Sequence, residues 1–254
     1  MAYSVDLNSD VGESFGAYKI GRDEKVLPFV TSANIACGYH AGDHNVMRRT
    51  VALAIAQGVG LGAHPGLPDL IGFGRRPMQI AAGDVYNSVL YQVGALQAFA
   101  TVQQTPLHHV KPHGALYHTA ATDTEIAAAI AQAVYDFNRE LILFALSGSA
   151  LAKAGTDVGL TVAEEVFADR TYLPDGTLTP RTHPHALIRD ADTALQQVVR
   201  IVKEGTVHAV DGTIIPIQAD TVCVHGDHPS AVQFVKKLRH ALAAHDIAVK
   251  RVGR

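Results

Sequence analysis

Asp6-Leu-Asn-Ser-Asp10 ends the first short apolar run of the chain with polar side chains at every second position. In a β-strand, residues 6, 8 and 10 point to the same face. The same pattern, an apolar run that stops at ionisable residues, recurs along the chain. The later clusters are Cys37-Gly-Tyr-His-Ala-Gly-Asp43, Gly62-Ala-His-Pro65, Lys111-Pro-His-Gly114, Ala163-Glu-Glu165 and Val224-His-Gly-Asp227. Strands that repeatedly end in chemically active side chains are typical of a β/α barrel, whose active site lies at the carboxyl ends of its strands.

Seven strand-like runs alternate with helical patterns, which is typical of parallel strands joined by right-handed crossovers. The strands are predicted near 3–8, 32–37, 59–63, 107–111, 141–145, 158–163 and 220–225. The helices are predicted near 43–57, 83–101, 123–137, 147–154, 188–204 and 229–244. The fold class is therefore α/β, and seven units favour a seven-stranded (β/α) barrel. An open doubly wound sheet is the competing architecture.

A single domain is expected over residues 1–254, because no linker, repeat or low-complexity tract interrupts the pattern. Residues 207–219 predict an accessory β-hairpin, since Asp211-Gly212 is a strong hairpin signal. Two segments rich in Gly and Pro, 64–79 and 171–187, are expected to be long loops that overhang the rim of the barrel. Long irregular loops in a compact domain usually carry function.

The composition limits the classes of partner. A net charge of −3 over 254 residues argues against a nucleic acid or an anionic membrane held by bulk charge. The Ala-rich apolar stretches are too short to span a bilayer, and the first residues lack the basic and apolar regions of a signal peptide. The two cysteines suggest a reduced protein rather than a disulfide scaffold. A soluble cytoplasmic protein is the expectation.

The first candidate site residues are Asn8, Asp10, His40 and His64. Polar side chains on the interior face of a barrel strand are costly unless they bind something, although a hydrogen-bonded polar plug is an alternative for the first strand. His40 and His64 each follow a strand, and imidazole suits proton transfer or metal ligation. With Asp10 they could form a set of two histidines and one carboxylate for a divalent metal. Histidines that only form hydrogen bonds are the alternative.

Lys111-Pro-His-Gly114 is the most specific short signal. Pro112 fixes the backbone and Gly114 permits a tight exit, so Lys111 and His113 are held at the end of a strand. A lysine that closes a buried run must be paired or have its pKa lowered. It could donate a proton to a leaving nitrogen or stabilise an oxyanion, as could His113. The alternative is a structural salt bridge from Lys111 to Asp10 or Glu165.

The remaining candidates follow the later strands or lie in the long loops. Two adjacent strand residues point to opposite faces, so only one of Glu164 and Glu165 can enter the barrel, and Glu165 is expected to do so. An arginine can hold a carboxylate or a phosphate through two parallel hydrogen bonds. The anion-binding candidates are Arg75, Arg76, Arg170 and Arg181, and His225 is a further substrate-binding candidate.

Taken together, these residues resemble the LamB/YcsF family over essentially the whole chain. The matching segments are Asp6-Leu-Asn-Ser-Asp-Val-Gly-Glu13, Asn34-Ile-Ala-Cys-Gly-Tyr-His-Ala-Gly-Asp43, Gly62-Ala-His-Pro65, Gly72-Phe-Gly-Arg-Arg76, Lys111-Pro-His-Gly-Ala-Leu-Tyr117, Glu165, Phe167-Ala-Asp-Arg-Thr-Tyr172 and Val224-His-Gly-Asp227. Ser9 stands where the family often has Cys or Ala, and Gly66 where it often has Ser. Neither departure affects a candidate catalytic group.

The resemblance implies a barrel similar to polysaccharide deacetylases and related hydrolases. It also implies a reaction in which 5-oxo-L-proline, ATP and water give L-glutamate, ADP and phosphate, with two partner subunits, B and C, that resemble the halves of allophanate-hydrolase-like proteins. The chain contains neither the G-x-x-x-x-G-K-[ST] nor the G-x-G-x-x-G fingerprint, so ATP would not bind here through a Walker-type loop.

A mechanism for this reaction can be written with the candidate residues. Asp10 or Glu165 would deprotonate the attacking water, and Lys111 or His113 would protonate the ring nitrogen as it leaves. The arginines would hold the substrate carboxylate or the phosphate. Two alternatives stay open: a free-standing metal-dependent deacetylase or amidohydrolase, and a non-catalytic scaffold for ATP-using partners.

Overall fold

The computed structural model describes residues 3–224 and 231–253. Its strands, in chain order, are β1 (Tyr3–Val11), β2 (Ser32–Ala36), β3 (Gly60–His64), β4 (His109–Val110), β5 (Ile142–Leu146), β6 (Thr161–Phe167), β7 (Thr206–His208), β8 (Ile214–Pro216), β9 (Thr221–Cys223) and β10 (Ile247–Val249). Its α-helices are α1 (Asp23–Val26), α2 (His44–Ala56), α3 (Ala82–Val102), α4 (Gly114–Thr122), α5 (Thr124–Asn138), α6 (Ala150–Asp157), α7 (Ala191–Glu204) and α8 (Ala231–Ala244), and Leu27–Phe29 form a 3-10 helix.

Seven parallel strands close into a barrel. β1 to β6 pair in chain order, and β9 lies between β6 and β1, so the sheet has no free edge within the barrel. The closure confirms the predicted seven-stranded (β/α) barrel and excludes an open doubly wound sheet. β10, which was not predicted, pairs in parallel with the first residues of β1, in the register Tyr3↔Ile247. It extends the sheet outside the barrel.

The helices surround the barrel and shield the outer face of its strands. Leu7, Ile35, Leu61 and Leu143 are buried between the sheet and this helical layer. Within the described residues, no helix is long and apolar enough to cross a membrane.

The start of α5 and the presence of α4 differ from the prediction in an informative way. Asp123 is the N-cap of α5, where its carboxylate accepts hydrogen bonds from the backbone N–H groups of Glu125 and Ile126 at 3.0 and 3.1 Å. α4 was not predicted, because Pro112 and Gly114 dominate the local pattern and both are poor helix formers. α4 carries Tyr117 and His118 onto the wall of the pocket described below.

The segment near 207–219 forms a small antiparallel ribbon beside the barrel. β7 and β8 pair from Thr206↔Pro216 to His208↔Ile214. Gly212 lies between them at a φ of +88°, a conformation that glycine adopts without steric cost.

Candidate active site

A pocket of about 480 Å³ opens at the carboxyl ends of the barrel strands. Its floor contains Asp10, His64, Lys111 and His113, and the side chains come from β1, β3 and the segment after β4. Parallel strands present their carboxyl ends on one side of a barrel, so residues far apart in sequence meet there. The other pocket-lining residues with polar side chains are Arg75, Tyr117, His118, Thr122, Arg170, Asp175, Thr177 and Arg181.

Lys111 is the centre of a buried charge network. Its Nζ lies 2.7 Å from Oε1 of Glu165 and 3.1 Å from Oδ1 of Asp10. It also lies 3.2 Å from Oδ1 of Asn8 and 3.1 Å from Sγ of Cys223. Burial by itself would lower the pKa of Lys111, but the negative charges around it, those of Asp10 and Glu165 among them, raise that pKa well above its usual value. Lys111 is therefore an ammonium ion fixed in place.

Glu165 is fully enclosed and fully hydrogen-bonded. Besides Lys111, it accepts a hydrogen bond from Nδ2 of Asn8 at 2.9 Å and one from the hydroxyl of Tyr117 at 2.6 Å. Its side chain has no exposed surface, and it does not line the pocket. These contacts correct the expectation that Glu165 might deprotonate water, since a general base must reach the proton that it removes. Its carboxylate instead holds Lys111 and Tyr117.

Asp10, unlike Glu165, faces the pocket. Its Oδ1 accepts hydrogen bonds from Nδ2 of Asn34 at 2.8 Å and from Lys111. Its Oδ2 lies 3.3 Å from Nε2 of His64. Asp6, at the other end of β1, accepts hydrogen bonds from Thr31, Ser32 and Thr221, so this end of the strand is a hydrogen-bonded polar plug.

Asn34 and His109 support Asp10 and Asn8 from inside the barrel, and neither residue was predicted from the sequence. Asn34 Nδ2 donates to Oδ1 of Asn8 at 2.7 Å as well as to Asp10. Its own Oδ1 lies 2.7 Å from Nε2 of His109, which stacks on Phe144. An amide oxygen only accepts, so Nε2 of His109 carries the hydrogen. The signal for these residues is the alternation of polar positions along β2 and β4.

Two histidines point their lone pairs at each other beside Asp10. Nδ1 of His64 lies 2.7 Å from the carbonyl oxygen of Lys111, and Nε2 of His113 lies 2.9 Å from the carbonyl oxygen of Phe73. Carbonyl oxygens only accept, so these two nitrogens carry the hydrogens. In the neutral rings, Nε2 of His64 and Nδ1 of His113 are then both lone-pair donors, and they lie 3.0 Å apart.

His40 and Glu13 complete this histidine cluster. The His40 ring stacks on His113 with centroids 3.7 Å apart, and its Nε2 lies 3.7 Å from Oε1 of Glu13. Neither ring nitrogen of His40 has a hydrogen-bond partner within the residues described. The Nδ1 side is closed by Gly66, where a Cβ would lie 2.6 Å from that nitrogen. Nε2 of His40 is therefore the nitrogen placed to bind a ligand.

The cluster fits a metal ion. One ligand atom from each of Glu13, His40, His64 and His113 lies within 4.8 Å of the others, and all four side chains are buried. Burial lowers the pKa of His40 and of His113 well below the usual value, and nearby imidazoles lower both further. Neutral imidazoles whose lone pairs have no hydrogen-bond partner, or point to a common place, suit a divalent cation. The backbone carbonyls that accept from His64 and His113 fix the orientation of these two rings, as the hydrogen-bond partners of metal ligands usually do.

The metal-ligand set expected from the sequence was incomplete. Asp10, His40 and His64 do come together, but the ring of His113 lies closer to His64 than the ring of His40 does, with centroids 4.8 and 5.5 Å away, and Glu13 joins them. Glu13 was not predicted, because it lies beyond the end of β1, where the period of two no longer predicts direction. Gly12, at a φ of +69°, turns the chain at this point.

Of the two candidate arginines in the loop 64–79, Arg75 faces the pocket and Arg76 does not. Arg75 lines it and lies over the ring of Phe73, with its guanidinium carbon 5.0 Å from the ring centroid. Arg76 pairs with Asp69 of the same loop, which corrects the expectation that it binds substrate in this pocket. The Asp69–Arg76 pair closes the loop on itself.

Arg170 is buried and holds the second long loop. Its Nη2 donates to the carbonyl oxygen of Thr179 at 2.6 Å and its Nε to that of Ala186 at 3.3 Å. Only 2% of the residue is exposed. Arg170 lines the pocket and is also tied to backbone, and its expected role as a clamp on the substrate stays a prediction. His225, the last candidate, lies outside the described residues.

The comparisons with known proteins agree with this architecture. The model of the LamB/YcsF family matches residues 5–254. The chain belongs to the LamB/YcsF family. Among its relatives, a protein of Oceanobacillus iheyensis named as the A subunit of 5-oxoprolinase is 61% identical over 251 residues, which cover 99% of this chain and 98% of that one. The protein of the same name from Bacillus subtilis is 56% identical over 251 residues, with the same coverage.

This chain is also similar to a protein of known structure. The crystal structure of a lactam utilization protein from Thermus thermophilus superposes with a TM-score of 0.92 at 46% identity. The alignment covers 97% of this chain and 99% of that one. The whole barrel is therefore shared, including the segments that carry the pocket floor.

Proposed function

We propose that this chain is the A component of an ATP-dependent 5-oxoprolinase and that its pocket opens the ring of 5-oxo-L-proline to give L-glutamate. The observation that carries the proposal is the contact between Asp10 and Lys111, 3.1 Å apart on the floor of one pocket. It places a base and an acid beside each other where a small amide can reach both. The names of the relatives from Oceanobacillus iheyensis and Bacillus subtilis supply the substrate.

Asp10 and Lys111 can move the protons that hydrolysis of a lactam requires. Asp10 takes a proton from the attacking water as the water oxygen bonds to the carbonyl carbon. Protonation of Asp10 removes one of the negative charges that raise the pKa of Lys111, and Lys111 then gives a proton to the ring nitrogen as the carbon–nitrogen bond breaks. The proton on Asp10 then passes across the 3.1 Å contact to Lys111, which restores both groups. Each such step of acid–base catalysis contributes about 10²–10⁴-fold to the rate.

The histidine cluster gives the proposal a metal site. Glu13, His64 and His113 would hold a divalent cation, and His40 would approach through Nε2. A bound divalent cation would polarise the lactam carbonyl as a Lewis acid. Nε2 of His64 and Nδ1 of His113 lie 3.0 Å apart with their lone pairs converging, so both would serve as ligands of that cation.

ATP and the partner subunits belong to the proposal through the family resemblance. A lactam is a poor electrophile, and phosphorylation of its oxygen would make the carbon easier to attack. Attack of water and cleavage of the carbon–nitrogen bond would then leave an acyl phosphate, which a second water molecule would cleave to L-glutamate and phosphate. The chain has no Walker-type phosphate loop, so we propose that subunits B and C contribute to the use of ATP.

Glutamate release from 5-oxoproline and ATP tests the function directly. The full chain is assayed alone and then with its B and C partners. Glutamate only in the complete mixture supports an obligate component of 5-oxoprolinase. Asp10→Asn in the complete mixture should lower turnover by at least about a hundredfold. No glutamate in any combination would reject the function.

The second candidate is a metal-dependent amidohydrolase or deacetylase, and the buried Glu13–histidine cluster favours it. Elemental analysis of the purified chain, before and after dialysis against a chelator, measures the metal without any assay of activity. His64→Ala and His113→Ala should both lower the metal content, whereas His245→Ala, near the carboxyl end of α8, should not. Hydrolysis of amides or N-acetyl sugars without ATP, lost to the chelator, would select this second function.

A further inference from the structure

One wall of the pocket is strongly cationic, and the acid–base pair does not explain it. Arg75, Arg170, Arg181 and His118 line the same pocket as Asp10 and Lys111. A concave surface with several guanidinium groups concentrates anions.

Arg170 holds the loop that carries Arg181, and it is not the residue that we expect to contact the anion. Its two hydrogen bonds to the carbonyl oxygens of Thr179 and Ala186 fasten the loop 171–187 to the end of β6. Thr179 also donates its backbone N–H to the carbonyl oxygen of Thr171 at 3.0 Å. Arg181 is two residues after Thr179, so this fastening sets the place from which its guanidinium lines the pocket.

His118 lines the pocket beside the arginines and is affected by their charge. Burial lowers its pKa to about 4, and the charges of Arg170, Arg181 and Arg75 each contribute to the lowering. All three guanidinium groups therefore act on a single imidazole. At neutral pH this ring is uncharged, and it can donate one hydrogen bond to an anion beside the arginines.

The two carboxylates that line the pocket already have partners, and that of Asp10 is Lys111 at 3.1 Å. Asp175 lines the pocket, but its Oδ1 accepts hydrogen bonds from the backbone N–H and the hydroxyl of Thr177 at 2.9 and 2.6 Å. Three guanidinium groups therefore line the pocket with two carboxylates, and one of these carboxylates already pairs with Lys111.

We propose that Arg181 and His118, with Arg75, form an anion subsite that binds the carboxylate of the lactam substrate and fixes the lactam ring over Asp10 and Lys111. The inference deepens the proposed function, on which it rests, by assigning specificity to residues that line the same pocket as the acid–base pair. Ala115, Phe167 and Leu178 give the pocket apolar surface that suits the methylene groups of a five-membered ring. Arg181 is the main contact because an arginine binds a carboxylate through two parallel hydrogen bonds.

Binding of two matched ligands to the full chain tests the subsite. 5-Oxo-L-proline carries the carboxylate, and 2-pyrrolidinone is the same lactam without it. Titration calorimetry and ligand-observed NMR measure both, with no ATP and no partner, so the result does not depend on the coupled reaction. The variants are Arg181→Gln and His118→Ala. Arg139→Gln is the control, since the side chain of Arg139 is 74% exposed on the surface.

Arg181→Gln should weaken binding of 5-oxo-L-proline at least tenfold and leave binding of 2-pyrrolidinone unchanged. His118→Ala should act in the same direction by a smaller factor, and Arg139→Gln should have no effect on either ligand. In the complete enzyme, Arg181→Gln should raise KM more than it lowers kcat.

Three outcomes would overturn the subsite. The first is wild-type affinity of Arg181→Gln for 5-oxo-L-proline. The second is an equal loss for both lactams, which would mean that the pocket itself is distorted. The third is binding of inorganic phosphate that depends on Arg181 while binding of 5-oxo-L-proline does not, which would assign the wall to a phosphoryl group. Wild-type protein that binds no 5-oxo-L-proline would also reject the subsite, whereas glutamate release by the complex separately decides the proposed function.

Discussion

Nζ of Lys111 lies 2.7 Å from Oε1 of Glu165 inside the barrel, and neither side chain has more than 3% of its surface exposed. A charge in such a place must be paired, because removing one partner leaves the other charge buried and uncompensated. The pair therefore has two separate consequences: it keeps Lys111 charged beside Asp10, and it makes the barrel interior sensitive to any change in charge.

Lys111→Met should destabilise the fold by about 3–5 kcal/mol and lower turnover by at least about a hundredfold. The stability loss arises because Glu165 and Asp10 lose their cation. The double variant Lys111→Met/Glu165→Gln should recover most of the stability but none of the activity. Urea denaturation measures the stability of these two proteins and of the single variant Glu165→Gln, and glutamate release measures their turnover. A double variant whose stability loss equals the sum of the single losses would show that the two residues are not coupled.

Tyr117→Phe should cost about 1–3 kcal/mol, since it leaves Oε2 of the buried Glu165 without its 2.6 Å hydrogen bond. The control is Tyr86→Phe, which removes a hydroxyl that donates to Asp136 at 2.9 Å on the surface and should change stability by less than about 0.5 kcal/mol. Equal losses in the two variants, compared by urea denaturation, would mean that the Tyr117 hydroxyl does not support Glu165.

The barrel and the floor of its pocket could be predicted from the sequence, because both depend on local patterns. Each strand is an apolar run, and parallel strands present their last residues on one side, so Asp10, His64 and Lys111 converge. The wall of the pocket could not be predicted in the same way. Arg75 and Arg76 are adjacent in a loop, and only the path of that loop decides which of them faces the pocket.

Tertiary contacts also decide which side chains can act as a general base or as a metal ligand. Glu165 has the residue type of a general base, but Lys111, Asn8 and Tyr117 occupy its two oxygens. Glu13 joins the histidines only because Gly12 turns the chain after β1. The spacing of residues in the sequence does not predict contacts of this kind.

Gly74→Ala should disrupt the histidine cluster. A Cβ at Gly74 would lie 2.7 Å from Cβ of His40 and 3.0 Å from Cδ2 of His113, and the φ of +64° is itself unfavourable for alanine. We expect a loss of about 1–3 kcal/mol and a lower metal content. Gly94→Ala is the matched control, since no atom of the described residues lies within 4 Å of a Cβ built at this position inside α3.

The Gly94→Ala protein should gain up to about 1 kcal/mol, because alanine has the higher helix propensity. Thermal unfolding compares the two glycine variants, and elemental analysis measures their metal. A stable Gly74→Ala protein with unchanged metal content would contradict the close packing of this loop against His40 and His113.

Asp23→Asn should stabilise the protein at pH 8 by about 1–2 kcal/mol, after allowance for the partial exposure of Asp23. Burial raises the pKa of Asp23 to about 6, although it accepts a 2.9 Å hydrogen bond from the backbone N–H of Gly12. The folded state therefore binds the proton more tightly than the unfolded chain does. Proton binding at Asp23 thus stabilises the wild-type protein at low pH, and this contribution is lost as the pH rises through 6. Asparagine keeps the acceptor without the charge. Urea denaturation from pH 4 to pH 8 should show a difference between variant and wild type that grows between about pH 4 and 6 and then levels off, and a constant difference would contradict the raised pKa.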